Sequence, residues 1–254
     1  MSKATAAFSN TMRHYAAALK GEKNVLEDIA PCFNTALSTI RRRGDEWILE
    51  SSNFERCQSV EEVYTVANAL LRQIHQVLAL YLELPSAPSF GVPTAPFSIS
   101  SIMVFDGDIL VRRRIWAVIN MWAYGATKTL YPTASGSLAT NALSLAASDH
   151  QVREALSLVG NGEPTWSRIY DIIEFLGGPR LIAESGLASK KKTACVKQTA
   201  NHYRHLGNPQ NAKLPSNPPT LRVANLFALD ILQKWIAQKT RDTARDAQST
   251  AKIC

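Results

Sequence analysis

The sequence predicts an all-α fold, built as a two-lobed helical protein with extended terminal segments. Apolar residues recur at helical spacings of three and four along most of the chain, and no stretch alternates apolar and polar residues for the length of a strand. Two proline-rich connectors separate the helical stretches. The expected parts are an N-terminal helical arm (1–20), an N-terminal lobe with a connector (21–98), a C-terminal lobe (99–206), and a linker with a terminal helix and basic tail (207–254).

The clearest predicted helix lies in the first half of the chain. Ser59 and Glu62 have the spacing of a capping box, in which both side chains cover backbone N–H groups at a helix start. Apolar residues then hold one face of the helix until Leu84-Pro85 ends the pattern. We therefore predict a helix that begins after Ser59 and runs until Leu84-Pro85.

A buried helix is also predicted for Asp106–Tyr124, where three consecutive arginines stand in an apolar pattern. Because successive helical residues are about 100° apart, Arg112, Arg113 and Arg114 span roughly 200°, and at least one must leave the outer face. A buried guanidinium keeps its charge and needs an anionic partner. That partner is either a carboxylate of this chain or a phosphate.

Two helices are predicted before Gly44. The first, Lys3–Leu19, is an arm with a narrow apolar stripe that docks either on a neighbouring subunit or on its own core. The second spans residues 24–43 with an interruption at Pro31, and it ends in another arginine triplet that exceeds what a helix C-terminus requires. The stripe consists of Phe8, Met12, Tyr15 and Leu19, and the triplet, a candidate for phosphate contact or for pairing with nearby acids, consists of Arg41, Arg42 and Arg43.

In the second half of the chain, the sequence predicts further helices that begin with polar capping residues. Asp149 can cap a helix over 151–159, and Thr165 can cap one over 166–176. A last amphipathic helix, Leu221–Thr240, must bury its apolar face on its own core or on a neighbouring subunit. The polar residues after it are predicted to be disordered. The candidates for subunit contact on this helix are Phe227, Ile231 and Trp235.

The positive charge is concentrated in the last quarter of the chain. The formal net charge is +7, but residues 190–254 contain twelve lysines and arginines against three aspartates, whereas residues 1–189 are slightly acidic. An excess of this kind is typical of a face that binds polyanions, and a tail that only aids solubility is the alternative.

The stretch from Ser189 to Gly207 is the most similar to a nucleic-acid-binding segment. It combines phosphate-binding cations with amides and with one aromatic ring that can stack on a base. Cys195, His202 and His205 lack a fourth ligand and a standard zinc spacing, so no metal or cofactor is expected. The candidate RNA-binding residues here are Lys190, Lys191, Lys192, Lys197, Tyr203 and Arg204.

Three features resemble the nucleoproteins of segmented negative-strand RNA viruses of the phenuivirus type. They are the arm-like stretch around Phe8, Met12 and Tyr15, the segment Leu37–Trp47 in which an apolar run meets a Gly-acidic-Trp stretch, and the alanine- and leucine-rich helix ending at Leu84-Pro85. They cover roughly the first third of the chain. The sequence departs from that family in a shorter stretch after Trp47 and a longer basic C-terminal part, which leaves the coat protein of a filamentous plant or fungal RNA virus as the alternative.

The resemblance implies a nucleocapsid or coat protein that polymerises along viral single-stranded RNA, with the arm docked on the adjacent subunit. It also implies a location in the virion and the host cytoplasm. The three basic triplets would then line one groove that holds the RNA backbone irrespective of sequence. No small-molecule substrate is expected.

Two other classes of function stay open. An enzyme is disfavoured because no GxSxG, HExxH, phosphate-loop or CxxC pattern occurs. A matrix-like protein could lie on anionic membrane through its basic C-terminal face, although membrane binding is the less expected partner. The four scattered cysteines and the absence of an apolar leader predict a soluble intracellular protein with free thiols.

Overall fold

The computed structural model divides the chain into two compact units. The first comprises Met1–Leu71 and Pro96–Met121, and the second comprises Arg72–Ala95 and Trp122–Cys254. The structure describes residues 13–21, 23–35, 37–81, 97–106, 109–115, 135–159, 164–205 and 213–251.

The first unit contains an antiparallel sheet, so the all-α prediction is wrong and the chain is a mixed α/β protein. Five strands are described, and they are hydrogen-bonded in the order β2-β3-β1-β4-β5. Strands β2 and β5 are the edges among these five. The strands are β1 (Arg13–Gly21), β2 (Ser38–Arg43), β3 (Glu46–Ser51), β4 (Phe97–Asp106) and β5 (Ile109–Ile115).

Strand β1 lies at the centre of the sheet, where a helical arm was predicted. It pairs with β3 on one side and with β4 on the other. Its residues Ala16, Ala17 and Ala18 are all buried, so both faces of the strand are covered and the polar alternation of a half-exposed strand is missing. Tyr15 and Leu19, predicted to contact a neighbouring subunit, are buried in the chain's own sheet, at 8% and 7% exposure. Phe8 and Met12 lie outside the described residues.

Two hairpins replace the two helices predicted to carry the arginine triplets. Residues 24–43 form only a short helix, α1 (Lys23–Ile29), followed by a 3₁₀ turn and then β2. Gly44 turns the chain into β3 with a φ of 62°, which glycine adopts without strain. The predicted helix at Asp106–Tyr124 is instead the end of β4 followed by β5. Residues 116–124 lie outside the described part.

The helix predicted between Ser59 and Leu84-Pro85 is confirmed over Val60–Tyr81, which form α2. The Ser59 Oγ accepts a hydrogen bond from the Glu62 backbone N–H at 3.2 Å. The Glu62 carboxylate accepts one from the Gln58 backbone N–H at 2.6 Å. The serine half of the capping box is therefore present, and the glutamate covers the N–H one residue before the expected position.

The second unit is helical in its described parts, and its predicted caps are confirmed. Asp149 Oδ1 accepts from the Gln151 N–H at 2.8 Å, and Thr165 Oγ1 accepts from the Arg168 N–H at 3.2 Å. The helices are α3 (Ser135–Ser148), α4 (His150–Val159), α5 (Trp166–Phe175), α6 (Gly178–Glu184), α7 (Lys190–Arg204) and α8 (Leu221–Ala251).

Helix α8 is longer than predicted. Its apolar face is buried through Ile231, Leu232 and Ile236, as expected for the predicted segment 221–240. The helix then continues to Ala251 through residues predicted to be disordered. Asp242 and Arg245 lie three residues apart on this extension, a spacing that supports an exposed helix. None of the described helices is both long and apolar enough to cross a bilayer.

Candidate nucleic-acid interface

Two of the three basic triplets lie on the edge strands of the described sheet. Arg41–Arg43 end β2, and Arg112–Arg114 lie in β5. Charged side chains on edge strands discourage the pairing of one sheet with another. The triplets therefore have a structural role that does not require RNA.

The guanidinium groups of the first triplet have interaction partners within their own unit. Arg41 donates from Nε and one terminal nitrogen to the Glu50 carboxylate, at 2.6 and 2.8 Å. Arg42 donates to Asp45 at 3.4 Å, and the Arg43 guanidinium lies 4.0 Å from the centre of the Phe105 ring. None of these three cations depends on a phosphate for a partner.

Glu50 joins Arg41 to the central strand. Its carboxylate also accepts a hydrogen bond from His14 Nε2 at 3.1 Å, and its side chain is 13% exposed. Burial alone would raise the pKa of this carboxyl, but the hydrogen bonds from Arg41 and His14 outweigh it and hold the pKa below its ordinary value of 4.5. The carboxylate therefore stays ionised and keeps the Arg41 charge neutralised.

The second triplet is paired in the same way where its side chains are described. Arg113 donates to both carboxylate oxygens of Glu46, at 2.8 and 2.5 Å, and this raises the arginine pKa. Arg114 forms an ion pair with Glu61 of α2. The Arg112 side chain lies outside the described part.

The first two triplets meet at Glu46, but not as an open groove. Arg43 is the backbone register partner of Glu46 in the β2–β3 pair, and Arg113 of β5 forms an ion pair with the Glu46 carboxylate. The Glu46 carboxylate therefore neutralises positive charge of the second triplet, beside the strand that carries the first. The third triplet, Lys190–Lys192, belongs to the other unit, at the start of α7. The triplets therefore do not carry the argument for an RNA site.

A different set of residues in the second unit combines cations with aromatic rings. The Trp166 and Tyr203 rings are stacked, with centroids 4.9 Å apart and planes inclined by 17°. One helical turn further along α5, the Tyr170 ring has the Arg204 guanidinium 3.5 Å from its centre. We call Trp166, Tyr170, Lys197, Tyr203 and Arg204 the α5–α7 aromatic cluster.

The helical spacing of residues on α5 places its members of the cluster on one face. Trp166, Tyr170 and Glu174 are four residues apart and therefore form one stripe. Along α7 the facing residues are Tyr203 with Arg204 and, two turns earlier, Lys197, whose Nζ lies 2.5 Å from Glu174 and 5.4 Å from the Tyr170 ring. The two helices are thus held side by side by side chains that remain half-buried.

Arg204 supplies positive charge to this cluster. Its Nε lies 3.2 Å from Asn201 Oδ1 and 3.0 Å from His205 Nε2, and both neighbours are neutral acceptors in these contacts. Lys197 of the same helix pairs with Glu174, whereas no described carboxylate pairs with Arg204. The Arg204 charge is therefore oriented by hydrogen bonds but is not cancelled by a carboxylate of the described chain.

The sequence predicted three of the five residues of this cluster. Lys197, Tyr203 and Arg204 were candidates, and the structure brings them together on one side of α7. Trp166 and Tyr170 were missed as site residues, although two aromatic residues four apart after a helix cap are a visible signal. Among the described residues, no group of three His, Cys, Asp or Glu side chains is placed to hold a metal ion.

The predicted subunit-contact residues of α8 pack within their own unit. Phe227 is 7% exposed and Ile231 is fully buried. The Trp235 ring meets Phe175 edge-on, with centroids 5.5 Å apart. Burial by a neighbouring subunit is therefore not needed to explain the apolar face of α8.

The described elements define a mixed α/β protein with a candidate polyanion-binding surface on a helical unit. Comparison with protein-family models, with curated proteins and with solved structures finds no match to this chain.

Proposed function

We propose that the chain is a single-stranded RNA-binding protein that holds the nucleic acid backbone irrespective of sequence, through the α5–α7 aromatic cluster. The observation that carries the proposal is the Arg204 guanidinium, which lies 3.5 Å from the centre of the Tyr170 ring and has no described carboxylate partner. It belongs to the same cluster as the stacked Trp166 and Tyr203 rings. Proteins that bind single strands without sequence preference combine phosphate-binding cations with rings on which bases stack. The excess positive charge of residues 190–254 supports the same class of ligand.

Polymerisation along viral RNA is the second part of the proposal, and it rests on the sequence resemblance. Sedimentation of the protein with and without a long single-stranded RNA tests it, because a nucleocapsid-type protein gives particles that grow with RNA length. Complexes that stay at one protein per short oligonucleotide would leave a monomeric RNA-binding protein.

Binding of a fluorescent uridine oligonucleotide across a salt series tests the RNA site. Arg204→Gln should weaken binding and lower the slope of log affinity against log salt by about 0.7, the value for one phosphate contact on a single strand. Tyr203→Ala should weaken binding by about tenfold through lost stacking. Arg180→Gln is the matched control, because Arg180 is an exposed arginine on α6 that pairs with Glu184 at 2.7 Å.

The melting temperature of each variant separates a binding residue from a packing residue. Unchanged binding by a folded Arg204→Gln protein, with the wild-type salt slope, would refute this site. Equal losses in Arg204→Gln and Arg180→Gln would indicate only a general effect of net charge.

A further inference from the structure

A lysine in the first turn of α7 contacts an aromatic residue in the second turn of α8. The Lys192 Nζ is 4.8 Å from the centre of the Phe227 ring. Lys192 is the third residue of α7 and Phe227 is in the second turn of α8. The N-terminal parts of α7 and α8 therefore approach each other at this contact, within the second unit.

Two exposed apolar residues of α8 lie within one turn of Phe227. Val223 is 52% exposed and Leu226 is 46% exposed. They are three residues apart and so are neighbours on the helix, and Val223 lies one turn before Phe227 on the same side. A single exposed aliphatic side chain is ordinary, but two adjacent ones beside a lysine form a small apolar patch.

Exposed basic residues stand in the first turns of both helices. Lys190, Lys191 and Arg222 are exposed, and the first turns of α7 and α8 contain no acidic residue. The surface thus combines positive charge with aliphatic side chains. We call it the α7–α8 basic patch, and it consists of Lys190, Lys191, Lys192, Arg222, Val223 and Leu226.

We infer that the α7–α8 basic patch binds the surface of an anionic lipid bilayer. Phosphate groups of lipids and of RNA are equally attracted to the lysines, but only a bilayer offers an apolar layer for Val223 and Leu226. A bare nucleic-acid backbone would leave these two side chains in water, and none of the six patch residues is an aromatic on which a base could stack.

The lipid surface is distinct from the proposed RNA site. Lys190 and Arg204 are fourteen residues apart on α7, which corresponds to about 21 Å along a helix. The two ends of the helix therefore present different chemistry, and one chain can contact RNA and lipid at the same time. This inference does not depend on the RNA proposal.

Cosedimentation of the full chain with vesicles tests the inference. Vesicles that contain phosphatidylserine should bind the protein, and pure phosphatidylcholine vesicles should not. Lys190→Gln with Lys191→Gln should lower the affinity by about 30-fold, or about fivefold for each charge. Val223→Ser with Leu226→Ser should lower it by about tenfold, because less apolar surface enters the interface.

Leu138→Ser is the matched control, since Leu138 of α3 is 42% exposed and lies outside the patch. Circular dichroism verifies that each variant folds, and all three variants involve exposed side chains. Failure of the wild-type protein to bind anionic vesicles would overturn the inference. The inference would also be overturned if the variant with both Val223→Ser and Leu226→Ser bound vesicles as well as the wild type. If that variant lost as much affinity for RNA as for lipid, the patch would be assigned to RNA instead.

Discussion

Arg113 of β5 donates two hydrogen bonds to the carboxylate of Glu46 in β3, at 2.8 and 2.5 Å. Strands β1 and β4 lie between these two strands in the sheet order. The contact therefore joins the two outer hairpins of the first unit across its centre, and Arg43 makes a second such contact with Phe105. Arg113, a candidate phosphate ligand from the sequence, is thus part of the internal structure of the first unit.

The first prediction follows from this ion pair. Arg113→Gln and Glu46→Gln should each destabilise the first unit, and a double-mutant cycle should give a coupling free energy of about 0.5–1 kcal/mol, as for partly exposed pairs. Denaturant unfolding at low salt measures it. Additive effects of the two substitutions would mean that the contact contributes nothing to stability.

The second prediction concerns RNA binding by the first unit. Because Glu50 and Asp45 already pair with the first triplet, Arg41→Gln with Arg42→Gln should lower RNA affinity less than Arg204→Gln alone. Anisotropy titrations of the three proteins at the same salt concentration measure this difference. If the double variant lost more RNA affinity than Arg204→Gln, the RNA site would instead include the first arginine triplet.

The third prediction is a pH dependence at Glu50. Since the pKa of Glu50 in the folded protein lies below its ordinary value of 4.5, the unfolded chain takes up the proton more readily. The stabilisation by this carboxylate is complete above that ordinary value and is lost as pH falls through the folded-state pKa. Glu50→Gln should therefore cost about 1 kcal/mol at neutral pH.

Denaturant unfolding of both proteins at successively lower pH values provides the measurement. The difference in unfolding free energy between wild type and Glu50→Gln should shrink towards acid pH. If that difference stays constant over the whole range, the hydrogen bonds from Arg41 and His14 do not stabilise the ionised form.

The fourth prediction concerns the turn between β2 and β3. Gly44 has a φ of 62°, and a Cβ added there would meet nothing within 4 Å. Gly44→Ala should therefore cost about 1 kcal/mol through backbone strain alone. Gly44→Asn should cost less, because asparagine adopts the left-handed region more readily. Thermal unfolding compares the two, and equal losses would point to a cause other than φ.

The helices could be predicted because their signals are local. Ser59, Asp149 and Thr165 each cap a helix at the predicted position, and each cap depends only on residues within one turn. The apolar residues of α8, recognised by their helical spacing, also form a buried face in the structure. The predictions are correct where a short stretch of sequence holds both the signal and its partner.

The sheet could not be predicted in the same way, because its stability depends on partners distant in sequence. The alanines of β1 favour a helix locally, but pairing with β3 and β4 on both sides outweighs that preference. Two signals were nonetheless present. Asp106-Gly107 has the composition of a hairpin turn, and β4 begins with the alternation Phe97, Ser98, Ile99, Ser100.

The candidate site was only partly predictable for a related reason. Lys197, Tyr203 and Arg204 share one stretch of sequence, but their aromatic partners Trp166 and Tyr170 are about thirty residues away and meet them only through the packing of α5 against α7. The neutralisation of Arg113 by Glu46, 67 residues away, was hidden for the same reason.

The central position of β1 determines which truncations of this protein are informative. A chain that starts after Gly21 would lose the partner of two strands at once and leave an open slot in the middle of the sheet. A synthetic peptide with the sequence RHYAAALKG would have the correct backbone groups to refill that slot, as in a split protein that regains its fold when the missing fragment is supplied.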